Sequence, residues 1–414
     1  MKAPLRGRFA TAAGLFHFLL ATSLTACATQ GTGQAGPGPG GDAEAGASTG
    51  TPDADVRSPN PIESGAGLDS PTAGPDAADA SNVDATSTSG SSDSGPDSVV
   101  VGEGGAPLWR CPTGPFGSPV PSAMTPARVS GVPPSDTFNN SNNNFGIVEG
   151  PVWIGDALYL SEIASGSNPP ASRVLKVTAA GAVSVAIADS GSNGLAVDRN
   201  GNLVGAVHKD GSISRFDLST GMATAIASTY MGKRFDSPND LAVRSDGNIY
   251  FSDPDYQAPS PAPQSQTRLY RIAPATNAVT IVDATLSEPN GVTLSLDEST
   301  LYVTSTRGVY KYPVMSDGSV GSGAIFAANL SGDGMTLDCA GNLYVTVTSS
   351  PNVVVFSPSG AQLGQVSLPA GMVQAVTNVA FGGFDHKTLY ITALGSGMQK
   401  ALFEVALSVP GMPY

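Results

Sequence analysis

"NGLAVDRNGNLVGAVHKDGSISRFDLSTGMATAIAST", residues 193–229, is the stretch whose reading decides the fold. Its apolar runs, 195–197, 203–207, 213–216 and 223–227, are short and separated by Asn-Gly, Asp-Gly and Thr-Gly. Such dipeptides supply the backbone torsions that tight hairpins need, so the stretch reads as four antiparallel strands. No 3.6-residue apolar period competes with that reading.

Outward from this stretch the same pattern recurs. "VEGPVWIGDALYLSEI", "PNDLAVRSDGNIYFSD", "PNGVTLSLDESTLYVT", "GDGMTLDCAGNLYVTV" and "TNVAFGGFDHKTLYITAL" align with it on a leading polar residue. Those residues are Glu149, Asn193, Asn239, Asn290, Asp333 and Asn378, spaced 44, 46, 51, 43 and 45 apart. A period of that length with four strands per unit predicts an all-β fold, a six-bladed β-propeller with four-stranded blades. The last unit has only 36 residues after Asn378, too few for a fourth strand. Residues ahead of Glu149, with 127–130 as the natural source, are expected to supply it, because closing the ring removes an exposed sheet edge.

The remainder of the chain does not read as globular. Residues 1–27 have a basic start (Lys2, Arg6, Arg8), an apolar stretch and a small-residue cleavage region, the layout of a secretory signal. Leu24-Thr25-Ala26-Cys27 resembles the lipobox of bacterial lipoproteins, which implies lipid attachment at Cys27, and Ala28 after it implies the outer membrane, facing the periplasm or the exterior. Residues 28–106 are Gly, Ala, Ser, Thr, Pro and Asp with no aromatic residue, and read as a disordered tether. The tether holds twelve acids and one base, so it carries most of the chain's net charge of −14. The expected domains are therefore a signal over 1–27, the tether over 28–106 and the propeller over 107–414. The propeller is only mildly acidic and shows no basic stripe, which argues against a nucleic-acid partner. Cys111 and Cys339 are left in an oxidising setting, where a disulfide and two separate thiols stand as equal expectations.

In a propeller the innermost strands line one channel, so the six leading residues form a ring rather than a scatter. Asn-Gly and Asp-Gly as ordinary turn formers account for "DRNGN", "RSDGN" and "DCAGN" between strands. They do not account for the leading residues, whose shared element is a side-chain oxygen. Hard divalent ions take oxygens from carboxylates, Asn side chains and water. Glu149 and Asp333 would neutralise a dication, and the Asn amides would fill positions without adding repulsion.

"VEGPVW", "RFDSPNDLAVRSDGNIYFSDP", "EPNGVTLSLDESTLYVTS", "GDGMTLDCAGNLYVT" and "TNVAFGGFDHKTLYITA" resemble, in order, the motifs of the senescence marker protein (regucalcin) and gluconolactonase family. That resemblance implies metal ligands at Glu149, Asn290 and Asp333, with Asn239 as a fourth ligand or a substrate contact, and Asp333 also as the general base. It implies a divalent ion, calcium first and zinc, magnesium or manganese as alternatives. The implied activity is hydrolysis of sugar lactones or similar cyclic esters: the ion polarises the carbonyl and activates water. Asn193 and Arg234 are the expected substrate contacts, Arg234 being weighed against a solvated loop charge. Two departures bear on the pocket: Thr304-Ser305-Thr306 and Glu162 stand where relatives often carry Asp.

A Ser-His-Asp hydrolase needs a placed imidazole, and the propeller has only His208 and His386. His386 is expected on the surface at the end opposite the metal; for His208 a pocket place and a surface place weigh equally. The alternative to an enzyme is a calcium-binding or ligand-binding propeller displayed on the envelope. The expected partners are a small-molecule substrate and, through the lipid alone, a membrane; the expected state is monomeric.

Overall fold

The computed structural model describes residues 110–412 apart from 135, 138–143, 165–168, 349, 370 and 396–398. The expected signal, tether and lipid attachment at Cys27 lie outside the described residues. Among the described residues there is no helix, and six antiparallel sheets form a six-bladed β-propeller. The innermost strands touch one another in cyclic order, the sixth returning to the first.

Blade II is the blade read first in the sequence: Ser192–Val197, Leu203–Val207, Ser212–Phe216 and Ala223–Ala227, paired in that order. Its inner three strands are almost wholly buried while the outermost is exposed or half-buried, as radial packing demands. The other innermost strands are Asn144–Ile154, Leu241–Val243, Val292–Leu294, Gly332–Leu337 and Val373–Gly382. Apolar cores lie between neighbouring blades. Phe235, Phe251 and Tyr270 pack at 4.9–5.4 Å between blades II and III, and Trp153 stacks on Tyr390 at 5.8 Å where blade I meets blade VI.

Blade VI lacks a fourth strand of its own and receives Ala127–Arg128 from the leader, which pairs antiparallel with Phe403 and Glu404. Counting residues after Asn378 predicted this closure. Blade I departs from the four-strand expectation: Asp136–Thr137 adds a fifth strand inside Asn144–Ile154. The leader is also tied at its start, since Cys111 and Cys339 form a disulfide with a Cα separation of 5.3 Å. Cys339 sits in the hairpin turn that follows Gly332–Leu337, at the far end of that strand from Asp333. Beside it the C-terminal segment pairs in, with the Cys339 amide donating to Pro410 O at 2.7 Å.

Candidate active site and metal centre

The six leading residues are all buried at the channel, between 3% and 9% exposed. Their placement depends on a repeated distortion of the ladder. In blades I, II, V and VI the register slips at Glu149, Asn193, Asp333 and Asn378. In blades III and IV the same two-against-one pairing appears in the hydrogen bonds. Ser252 O accepts from Asn239 while its amide donates to Asp240 O, and Thr304 bridges Asn290 and Gly291 in the same way. Such a bulge bends the strand and re-aims a side chain, which turns each leading residue toward the channel. Glu149 and Asn378 are not at the entrances of their strands, as the sequence suggested, but mid-strand, because these two innermost strands begin at Asn144 and Val373.

The glycine after four of the leading residues has a steric cause. A Cβ on Gly291 would lie 2.2 Å from Asp333 O, and one on Gly334 would lie 2.0 Å from the Asn378 side chain. Each bulge therefore packs directly against the leading residue of the next blade. Blade III breaks the pattern with Asp240, which sequence reading passed over. Its carboxylate accepts from its own blade at Leu241 N (2.9 Å) and from the next at Val292 N (3.1 Å).

Behind the ring stands a second set of side chains. Thr304 Oγ1 donates to Asp333 O at 2.7 Å, and Thr346 Oγ1 lies 2.8 Å from Gly334 O and 3.0 Å from Thr377 O. Thr392 Oγ1 lies 3.0 Å from Asn378 O, and Ser252 Oγ accepts from Asp240 N at 3.1 Å. With Ser161, opposite Glu149, these hydroxyls fall in a Tyr-x-Ser/Thr pattern: Tyr159-Leu160-Ser161, Tyr250-Phe251-Ser252, Tyr302-Val303-Thr304, Tyr344-Val345-Thr346 and Tyr390-Ile391-Thr392. That pattern was a readable signal for the site's scaffold.

The electrostatics of the ring are one-sided. Burial pushes the Glu149 carboxyl well above its ordinary value, and Asp333 and then Asp240 push it further, against the Gly150 amide and the Asn378 side chain. Burial and Asp240 likewise raise Asp333, against a hydrogen bond from Asn290. Asp240 is raised by burial to about 7 despite its two backbone donors. No lysine or arginine is among the groups that act on Asp333 or Asp240. Three desolvated acids without a cation cannot all be charged, and a divalent ion is the group that would relieve them. Among the described residues no three His, Cys, Asp and Glu side chains converge on one point. The donor set that fits such an ion is therefore Glu149 and Asp333 completed by Asn amides, with Asp240 committed to the backbone. Below the ring a cavity of about 110 Å³ continues the channel, lined by apolar residues such as Leu195, Val292, Met335 and Met412.

The remaining candidates are placed as follows. Asn193 is in the ring, and its neighbour Gly194 donates to Asn239 O at 2.6 Å. Arg234 spends its guanidinium on the carbonyls of His208 (2.9 Å), Lys209 (3.3 Å) and Phe235 (3.1 Å), so it is no solvated loop charge. His208 is buried with Nε2 on Pro170 O at 2.9 Å, which removes the surface reading, and burial lowers its pKa to about 4. His386 lies at the far end as expected but is buried rather than on the surface. Glu162 is fully buried and ion-paired with Arg173 and, at 2.7 Å, with the equally buried Lys400 of blade VI.

Residues 147–395 match the family model described as SMP-30/Gluconolactonase/LRE-like region, and the chain belongs to that family. A gluconolactonase from Zymomonas mobilis is 31% identical over 278 residues, covering 59% of this chain and 75% of that protein. The solved structure of a gluconolactonase from Xanthomonas campestris is 28% identical, covers 72% of this chain and all of its own, and superposes with a TM-score of 0.55. The calcium-binding regucalcin from Agrobacterium tumefaciens, 18% identical, shares the fold with a TM-score of 0.55 over 70% of this chain and 95% of its own.

Proposed function

We propose that the protein is a divalent-metal-dependent hydrolase of lactones. The observation that carries this is the pair of desolvated acids in the ring, Glu149 and Asp333, with Asn amides between them and the buried Asp240 beside them adding negative charge. The similarity to two gluconolactonases supports the substrate class.

Glu149, Asn290 and Asp333 would hold the ion, with Asn239 as a fourth ligand or a substrate contact; calcium is the first choice and zinc, magnesium and manganese are alternatives. When bound, the ion supplies positive charge that polarises the ester carbonyl and acidifies water. Asp333 takes the proton from the attacking water as its oxygen bonds to the carbonyl carbon. The proton then passes to the ring oxygen as the C–O bond opens, leaving the hydroxy acid. Asn193 presents an amide to substrate hydroxyls, and Arg234 is the second proposed substrate contact, held in place by its bonds to the His208, Lys209 and Phe235 carbonyls.

A second reading, a propeller that binds calcium or a ligand without turnover, is favoured by one observation. Thr304 and Glu162, standing where relatives often carry Asp, are both committed to the scaffold, Thr304 to Asp333 O and Glu162 to Arg173 and Lys400. A panel of lactones offered to metal-stripped and to calcium- or zinc-reloaded protein separates the two. Hydrolysis that returns with the ion supports the enzyme; reloading without hydrolysis supports the binding module.

We also propose export, lipid attachment at Cys27 and a tether over 28–106, with the propeller monomeric at the outer membrane. The Cys111–Cys339 disulfide supports an oxidising compartment.

A further inference from the structure

The strand Ile249–Asp253 of blade III ends beside the loop that carries both Arg234 and Asn239. Three consecutive residues at that strand end hold the loop. Ser252 O accepts from the Asn239 main-chain amide at 3.0 Å. The Asp253 carboxylate accepts from two successive main-chain amides, Oδ2 from Asp236 at 3.0 Å and Oδ1 from Ser237 at 2.8 Å. Pro254 O accepts from Ser237 Oγ at 2.7 Å. From the other side Gln264 Nε2 donates to the carbonyls of Lys233 (3.1 Å) and Arg234 (2.9 Å), and the Gln264 main-chain amide donates to Asp236 Oδ1 at 2.6 Å.

Asp253 is the centre of this arrangement. It is 1% exposed, and a carboxylate at that depth persists only where hydrogen bonds replace its lost water. Both its oxygens are spent on the main chain between Arg234 and Asn239, so it sets the path that separates those two side chains. The loop has an anchor of another kind in Phe235, which packs on Phe251 at 4.9 Å and on Tyr270 at 5.4 Å in the core between blades II and III. Loss of the carboxylate's bonds therefore loosens the aim of Arg234 and Asn239 without releasing the loop.

We propose that Asp253 is a positioning residue for the substrate, which fixes Arg234 and Asn239 relative to one another as a preset pair of contacts. This role rests on the lactone reading given above and adds to it a division of labour: Asn239 serves the substrate, and the ion is left to Glu149, Asn290 and Asp333. Contacts that are already ordered cost less to engage, so the carboxylate acts on substrate affinity.

Asp253→Asn tests this, because it keeps the shape but turns one acceptor into a donor and leaves one of the two loop amides without a partner. Hydrolysis of gluconolactone by calcium-loaded protein, calcium calorimetry and amide hydrogen exchange are read on the same samples. The loss of one hydrogen bond to a charged acceptor predicts a KM raised about tenfold. Contacts that bind substrate and transition state alike leave kcat within about twofold, and calcium affinity should stay within the same range. Amides of 234–239 should exchange faster. In an Arg234→Ala background, where half of the pair is already gone, Asp253→Asn should raise KM less than about threefold. Ser237→Ala, which removes only the hydroxyl bonded to Pro254 O, should raise KM by less than Asp253→Asn does and decides the matter if Asp253→Asn fails to fold. Unchanged KM, unchanged exchange over 234–239, or a loss of calcium affinity equal to the loss in KM overturns the proposal. A wild type that hydrolyses no lactone sinks the lactone reading and this role with it; a wild type that turns over, with KM unmoved in Asp253→Asn and Ser237→Ala, sinks the positioning role alone.

Discussion

Asp240 and His208 show how far single residues could be read. Both are buried with a perturbed charge balance, Asp240 raised to about 7 and His208 lowered to about 4. Asp240 falls in the column that holds glycine in four other copies, so a search for repeated residue types passes over it; the broken column was itself the signal. His208 was legible as a strand-end imidazole but not as a buried one, because burial depends on Pro170, 38 residues away. Its folded-state pKa lies below the ordinary value of about 6.5, so under acid the unfolded chain takes the proton first. Stability is thus complete above about pH 6.5 and falls between there and about pH 4, by roughly 3 kcal/mol from this residue. Chemical denaturation across that range should show a shallower acid slope in His208→Gln than in wild type. An identical slope would mean that His208 is not held neutral.

At the scale of the strand, the elements were legible because hairpin dipeptides punctuate them, and the bulges were not. A bulge is a difference of one residue between two strands, and the sequence of either strand alone does not contain it. The bulge is what re-aims the ring, and four of the five Tyr-x-Ser/Thr hydroxyls, those of Ser252, Thr304, Thr346 and Thr392, hold it by bonding the main chain of the same or the next blade, while Ser161 bonds the Ser192 hydroxyl. Thr346 is the sharpest case, placed between the carbonyls of Gly334 and Thr377. Thr346→Val keeps the shape and removes the donor, leaving buried carbonyls short of a partner, and should cost about 1–3 kcal/mol in urea denaturation. Because the lost bonds support the residues beside Asp333 and Asn378, metal affinity should fall as well. A variant as stable as wild type would show that these hydroxyls do not carry the ring.

Across the whole molecule the ring of blades is closed twice, once by Ala127–Arg128 on blade VI and once by the Cys111–Cys339 disulfide 228 residues apart in sequence. The first closure was legible from counting residues after Asn378. The second was not, since sequence separation carries no information about Cα distance. Replacing both cysteines by serine should lower the unfolding free energy by about 2–5 kcal/mol while leaving the strands and the ring in place. Equal unfolding midpoints for the variant and the oxidised protein would argue that the leader is already fixed by its strand alone. The central claim concerns the ring itself: its acids are there for a cation, and that cation serves lactone hydrolysis. The most direct measurement is calorimetric calcium titration beside lactone turnover in wild type and Asp333→Asn. Removing one of the two charges that face the ion, and with it the proposed base, should abolish turnover and weaken metal binding in a protein that stays folded. Full activity with undiminished metal affinity in Asp333→Asn would contradict the account.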